Sequence, residues 1–239
     1  QVVWLYGRED NISSYKCFVS AKNINHHSHG VTFTLVSHLG DIEITSSLLG
    51  DFNIDNLLAA ITVLLIQGVP LADIAHLVKQ VSAISGRMEA ISADNLATAV
   101  VDYAHTPDAS EKLFTSLKSL LTDGGKLWVI FGCGGDRDHD KRPLMAEKAE
   151  EYANKIFVVP DNPRMESQEN VNIEIESGFS QKKHEILKSR TSAIVDVITQ
   201  MDSNDILAVV GKGGANFEIV GTEHIPYSDV DTVLKAIDE

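Results

Sequence analysis

Four residues, Asp161-Asn162-Pro163-Arg164, stand just after the apolar run Ile156-Phe157-Val158-Val159. The run reads as a β-strand, so the four residues fall at the carboxyl edge of a sheet, where open α/β folds bind ligands. Asn162 offers amide donors and an acceptor, and Arg164 offers a rigid fork matched to a carboxylate. Pro163 fixes its own φ and disfavours the helical region for Asn162, which stiffens the turn. Such a turn suits a small molecule rich in carboxylate and amine groups. The same four letters also fit an ordinary strand-to-helix turn.

Three more loops of this kind follow apolar strands. In Gly132-Cys133-Gly134-Gly135-Asp136-Arg137-Asp138 the glycines allow close backbone approach, and Arg137 adds a fixed charge, with Lys141 and Arg142 close behind. The loop lacks the Gly-Lys-Ser/Thr ending of a triphosphate loop and the glycine spacing of a dinucleotide fingerprint; a plain tight turn also explains its glycines. In Asp102-Tyr103-Ala104-His105-Thr106-Pro107-Asp108, Asp102 is placed to bind ribose hydroxyls and His105 to donate to a ligand. Alternatively Asp102 ends a strand while Thr106 and Asp108 complement a helix N-terminus. The fourth loop is Gly211-Lys212-Gly213-Gly214. Arg87, in Gly86-Arg87-Met88-Glu89, could reach a phosphate; alone it reads equally as a surface charge.

The elements that must position these loops are legible from periodicity. Residues 1–86 and 87–239 form two expected domains. The first opens with a strand, Val2 to Tyr6, followed by a polar loop holding His26, His27 and His29, then a hairpin of Val31–Val36 and Ile42–Thr45 about Gly40-Asp41. Asn53 is expected to cap a helix that Gly68 stops, and Pro70 to open another from Leu71 to about Val81 with Ile74, Leu77 and Val78 on one face. In the second domain, strands at Thr98–Asp102, Lys126–Phe131, Lys155–Val159, Glu185–Leu187 and Ile206–Val210 alternate with helices. Those helices start near Thr106, Pro143, Asn170 and Thr191. This βαβαβα order predicts an α/β fold with a mostly parallel, Rossmann-like sheet.

Composition narrows the partners. With 34 acidic and 20 basic residues the net charge is −14, which argues against nucleic-acid and anionic-membrane surfaces. Cys17 and Cys133 are far apart and lack metal-ligand spacing, which points to a reducing, cytoplasmic compartment. No apolar run approaches the roughly 20 residues of a membrane span. A monomer is expected. Because the chain starts at Gln1 and enters a strand at once, it is expected to be a piece of a longer protein cut on its N-terminal side.

As a set, these strings resemble the Mur ligase family. The resemblance is carried by Leu49-Gly50-Asp51-Phe52-Asn53-Ile54-Asp55-Asn56, Gly86-Arg87-Met88-Glu89 and the segment from Asp102 to Asp108. It continues through Phe131 to Asp138, Lys141-Arg142-Pro143-Leu144-Met145 and Asp161-Asn162-Pro163-Arg164, in matching order from about residue 30 to the end. It implies the tail of a central α/β ATPase domain followed by a complete C-terminal, amino-acid-binding domain. It implies an ATP- and Mg2+-dependent amide ligase of peptidoglycan precursor synthesis, adding meso-diaminopimelate to the D-glutamate of UDP-MurNAc-L-Ala-D-Glu through an acyl phosphate. The family's Gly-Lys-Thr loop and carbamylated lysine would lie upstream. No catalytic residue and no metal ligand is therefore expected in this chain, which would be inactive alone.

By resemblance, Arg137, Asp161, Asn162, Pro163, Arg164, Gly211 and the position of Ala215 would line the diaminopimelate site. Arg137 and Arg164 would meet carboxylates, and Asn162 would read amino and carboxyl groups. Arg87 would meet ATP phosphates and Asp102 the ribose, with His105 and Asn56 on the nucleotide side. Lysine-adding members generally lack the arginine of the turn, which would repel an ammonium. Where the family pattern reads Gly-Lys-Gly-His-Glu, this chain reads Gly211-Lys212-Gly213-Gly214-Ala215. An acid that would hold the substrate ammonium is missing, a loss on the order of 1.5–3 kcal/mol. Either the site is weakened, or Glu218 substitutes, or the sequence was altered. A ligase for another amino acid such as lysine, and a non-catalytic binding module on the same frame, stay open.

Overall fold

The computed structural model describes residues 2–27, 30–93, 96–122, 124–181 and 183–238. The chain divides into two units, Gln1–Ala83 and Ile84–Glu239, each with its own core.

In the first unit, β1 (Leu5–Gly7) runs parallel to β2 (Phe18–His27), and β3 (Gly30–Ser37) and β4 (Gly40–Ser46) continue the sheet antiparallel. Val31, Phe33 and Leu35 of β3 are at most 1% exposed, whereas the intervening Thr32, Thr34 and Val36 are half-buried. That alternation is what one face on a core requires. The face is covered by α1 (Asp51–Ile66), whose Ile54, Leu57, Leu58, Ile61 and Leu65 recur every three to four residues, and by Ile74 and Val78 of α2 (Leu71–Lys79).

Several expectations for this unit are corrected. The first strand begins only at Leu5, because Val2 and Val3 are exposed and pair with nothing among the described residues. His26 and His27 belong to strand β2 rather than a loop, while His29 and Gln1 lie outside the described residues. The strand was hidden by its polar outer half, where the register shifts between Lys22 and Asn25 and Asn23 takes φ +52°. Gly50, not Asn53, occupies the cap of α1; Asn53 sits in the first turn, its Nδ2 donating to the Leu49 carbonyl at 2.7 Å. Leu77 is exposed rather than part of the buried face of α2.

The second unit holds a six-stranded sheet in the order β5-β6-β10-β7-β8-β9. β5 (Glu89–Ile91) is antiparallel to β6 (Thr98–Asp102). The strands β7 (Leu127–Phe131), β8 (Lys155–Val158), β9 (His184–Ile186) and β10 (Ile206–Val210) run parallel with β6. Every residue of β7 and β10 is buried, as befits a sheet covered on both sides. One face, with Val101, Ile130, Phe157 and Leu207, packs on α6 (Arg190–Ile198) and α7 (Asp229–Asp238). On the other, α3 (Pro107–Ser119) packs against β10, with α4 (Lys141–Tyr152) and α5 (Gln168–Glu176) alongside it in series. Thr106 caps α3 by accepting from the Ala109 N–H, with Pro107 at the first helical position. At the amino edge of the strands, buried Asp205 accepts from the Trp128 indole at 2.9 Å and from Lys126 N–H at 2.8 Å. A separate hairpin, β11 (Phe217–Val220) and β12 (Glu223–Pro226), follows β10 and has no counterpart in the periodicity reading. Among the described residues no helix is long and apolar enough to cross a membrane.

Candidate functional site

Parallel strands deliver their carboxyl ends to one edge, and the loops after β6, β7, β8 and β10 meet there. They enclose a cavity of about 570 Å³ lined by His105, Arg137, Asp161, Asn162, Arg164, Gly211 and Ala215 together with Lys141, Lys212 and Ile219. Seven of the residues singled out from the sequence therefore share one cavity. Pro163 does not; it lines a second cavity of about 480 Å³ with Gln168, Arg190 and Glu218. The turn points Pro163 away while its neighbours Asn162 and Arg164, at φ +47° and +53°, face the first cavity. Glu218 thus lines a different cavity from Ala215.

The glycine-rich loop and the Asp-Asn-Pro-Arg turn are built as one piece. Gly135 N–H donates to the Asn162 carbonyl at 3.0 Å, and Arg164 Nη1 donates to the Gly135 carbonyl at 2.8 Å. A side chain at Gly135 would put its Cβ 1.9 Å from the Pro163 oxygen, so only glycine allows this approach. The hairpin fastens the turn from the other side, with Arg164 N–H donating to the Ile219 carbonyl and Gly221 N–H to the Arg164 carbonyl. Arg164 keeps Nε and Nη2 for a ligand, and Arg137 is exposed with no ion pair or hydrogen bond among the described residues.

Arg142 proves to be a brace rather than a ligand cation. Its side chain is fully buried, donates to both oxygens of Glu166 at 2.7 Å, to Glu174 at 2.8 Å and to the Gly134 carbonyl at 3.1 Å. These bonds hold the Glu166 carboxyl down to about 2, Arg142 being the largest cause, with the Asp136 N–H adding a further bond. His139 joins Glu166 and Glu174 at a spacing that could hold a cation, yet the Arg142 guanidinium already supplies the positive charge to both carboxylates. Cys133 is buried, and that burial, followed by the nearby Asp161 charge, pushes its thiol up to about 12, which keeps it in the unreactive thiol form.

Two acids and four cations line the cavity, and their pairing leaves a positive surplus. Lys212 Nζ is 3.2 Å from Asp161 Oδ1, close enough for attraction though not aligned for a hydrogen bond. Gly211, at φ +112°, carries the chain past this pair, where a Cβ would come within 2.8 Å of Asp161 Oδ2. With Asp161 neutralised, Arg137, Lys141 and Arg164 face only Asp138. Such a field favours a ligand with more than one carboxylate.

The nucleotide-side candidates divide. Asp102 gives both oxygens to backbone N–H groups, of Met88 at 2.8 Å and Ala104 at 2.7 Å, which ties the Arg87 turn to the end of β6. The Arg87 guanidinium lies 4.7 Å above the Tyr103 ring, and His105 meets that ring edge-on. His105 Nδ1 is 2.9 Å from the Tyr103 carbonyl, so it must be the donor, leaving Nε2 as the ring's acceptor. Arg87, Tyr103 and His105 together give a cation, a flat ring and an imidazole suited to a nucleotide. Asn56 belongs to the other unit, on α1, where its Nδ2 donates to Asn53. At Gly214 a Cβ would sit 2.5 Å from the Ser85 carbonyl oxygen, so the chain passes close to Ser85 there. Sequence reasoning gave Lys212, Glu166 and Ile219 no role; a lysine set between glycines after a buried strand was the one available signal.

The chain is similar to known proteins over most of its length. Residues 86–213 match the family description "Mur ligase, glutamate ligase domain", and residues 1–64 match "Mur ligase middle domain". A UDP-N-acetylmuramoyl-L-alanyl-D-glutamate–2,6-diaminopimelate ligase of Haemophilus influenzae (strain KW20 / Rd) is 42% identical over 218 residues, covering 91% of this chain and 44% of that protein. A solved structure of a ligase of the same name superposes with a TM-score of 0.76 at 35% identity, covering 98% of this chain and 47% of that one. Folylpolyglutamate synthase from Thermotoga maritima shares the fold, with a TM-score of 0.64 at 22% identity over 83% of this chain and 44% of its own. The chain spans less than half the length of the curated relatives it matches. The chain belongs to the Mur ligase family.

Proposed function

We propose that this chain is part of an ATP-dependent ligase that joins meso-diaminopimelate to the D-glutamate of UDP-MurNAc-L-Ala-D-Glu in peptidoglycan precursor synthesis. On this reading Gln1–Ala83 is the end of the central ATPase domain, and Ile84–Glu239 is the domain that holds the incoming amino acid. ATP, with Mg2+ held mainly by upstream residues, supplies the activation of the glutamate carboxylate. Arg87 and His105 contribute to the nucleotide, and Asp102 acts chiefly by fixing the Arg87 turn. The task of the cavity is to hold one amine of diaminopimelate close to the activated carboxyl while excluding water. Both cysteines are free and buried, in keeping with a reducing cytoplasm.

The observation that carries this reading is the pair Arg137 and Arg164 in one cavity, with Asp161 already matched by Lys212. Diaminopimelate has a second carboxylate where lysine has none, and an unmatched guanidinium rewards only the former. Calorimetric titration of the chain with each amino acid tests this. Diaminopimelate is expected to bind more tightly, and equal or tighter binding of lysine would overturn the substrate assignment. Ala215 favours one other reading, a non-catalytic binding module; a complete gene without an upstream Gly-Lys-Thr loop would put that reading first.

A further inference from the structure

Lys212 is 2% exposed, and a buried ammonium needs partners for its donors. Its Nζ donates to Asn162 Oδ1 at 2.9 Å, lies beside Asp161, and stands 5.4 Å from the centre of the Tyr227 ring. The same Asn162 oxygen accepts a second bond, from the Ile219 N–H of β11 at 2.8 Å. An amide oxygen has two lone pairs, and both partners here can only donate. Turning the carboxamide over would set its NH2 against an ammonium and an N–H, two donor–donor clashes in a buried place. The orientation of Asn162 is therefore dictated by its neighbours. What it retains for the cavity is Nδ2, with two N–H donors and no acceptor.

Resting on the amino-acid-binding reading above and deepening it, we propose that Lys212 is a positioning residue that sets the polarity of Asn162. The site then reads a carboxylate oxygen at this point and turns away an ammonium. This sharpens the expectation that Asn162 meets both amino and carboxyl groups: it serves the carboxylate, and the amines of the ligand lie elsewhere in the cavity.

The test uses the whole 239-residue chain, 15N-labelled, with meso-diaminopimelate and lysine as probes. In the unliganded protein the Asn162 side-chain amide resonances, identified by their loss in Asn162→Asp, should stand apart from those of exposed asparagines and move toward them in Lys212→Met. Lys212→Met should weaken diaminopimelate about tenfold while changing lysine less than about twofold, so that the preference between the two falls. A purely structural lysine would lower both alike. Asn162→Asp covers the case in which Lys212→Met fails to fold: its carboxylate still accepts from Lys212 and Ile219, so the fold stays while the donors vanish. Diaminopimelate binding should then fall about tenfold or more. The proposal is overturned if Asn162→Asp binds diaminopimelate as the parent does, if Lys212→Met lowers both amino acids equally, or if the parent amide resembles the exposed ones. Should the parent bind neither probe while its amide responds to Lys212→Met as described, the substrate reading fails and the orienting role of Lys212 stands.

Discussion

Replacing Gly135 with alanine places a methyl group where two loops already touch. The new Cβ would lie 1.9 Å from the Pro163 oxygen and 2.8 Å from its carbonyl carbon. Restoring a carbon–oxygen separation of about 3.3 Å forces the loops apart by roughly 1 Å or more. That movement breaks the Gly135 N–H bond to Asn162 and the Arg164 bond to the Gly135 carbonyl. A neutral bond contributes about 0.5–1.5 kcal/mol and one from a charged donor about 1.5–3, so the loss is about 2–4.5 kcal/mol. In a unit of this size that lowers Tm by about 4–18 °C. Gly135 is not one of the positive-φ glycines, so the penalty is steric throughout. Gly221→Ala is the control: φ is +59° with nothing within 4 Å of its Cβ, and backbone strain of about 1–2 kcal/mol is all it should show. Urea unfolding followed by the buried Trp128, in a Trp4→Phe background that silences the other of the two tryptophans, reads both. Gly135→Ala within about 0.5 kcal/mol of the parent would refute the claim that loop and turn are one rigid piece.

Asp205→Ala leaves the Trp128 indole and the Lys126 N–H without an acceptor at the edge of the sheet opposite the cavity. At about 1–3 kcal/mol for each stranded donor, urea unfolding should show a loss of about 3 kcal/mol with diaminopimelate affinity unchanged; a loss below about 1 would contradict the assignment. The depressed carboxyl of Glu166 makes stability depend on acid. Its folded value, about 2, lies below the ordinary 4.5, so its contribution is complete above pH 4.5 and fades as pH falls toward 2. The parent should exceed Glu166→Gln by about 2 kcal/mol near neutrality, after allowance for solvent screening, and the gap should close on acidification. A gap that widens in acid has the wrong sign for this account.

The strands that anchor the site were legible because they are buried on both faces and uninterrupted: Thr98–Asp102 and Ile206–Val210 run as read from periodicity. The α3 start was equally plain from Thr106 and Pro107. β2 was not, since Lys22, Asn23 and Asn25 give its outer half the composition of a loop, and only pairing with β3 reveals the strand. The same holds for β11, where Ile219 matters through its backbone, which no side-chain pattern encodes. The bracing role of Arg142 was not legible, because its charge is visible in a sequence while its partners, Glu166 and Glu174, are not adjacent. Pro163 was grouped with its neighbours although the left-handed residues on either side turn it toward another cavity.

The most direct test is a crystal of this chain soaked with meso-diaminopimelate. One carboxylate should lie within hydrogen-bond distance of Arg164 and Arg137, with Asn162 Nδ2 donating to it and Asn162 Oδ1 still on Lys212. A cavity without ligand at saturating concentration, with Arg164 and Asn162 directed away from it, would contradict the account.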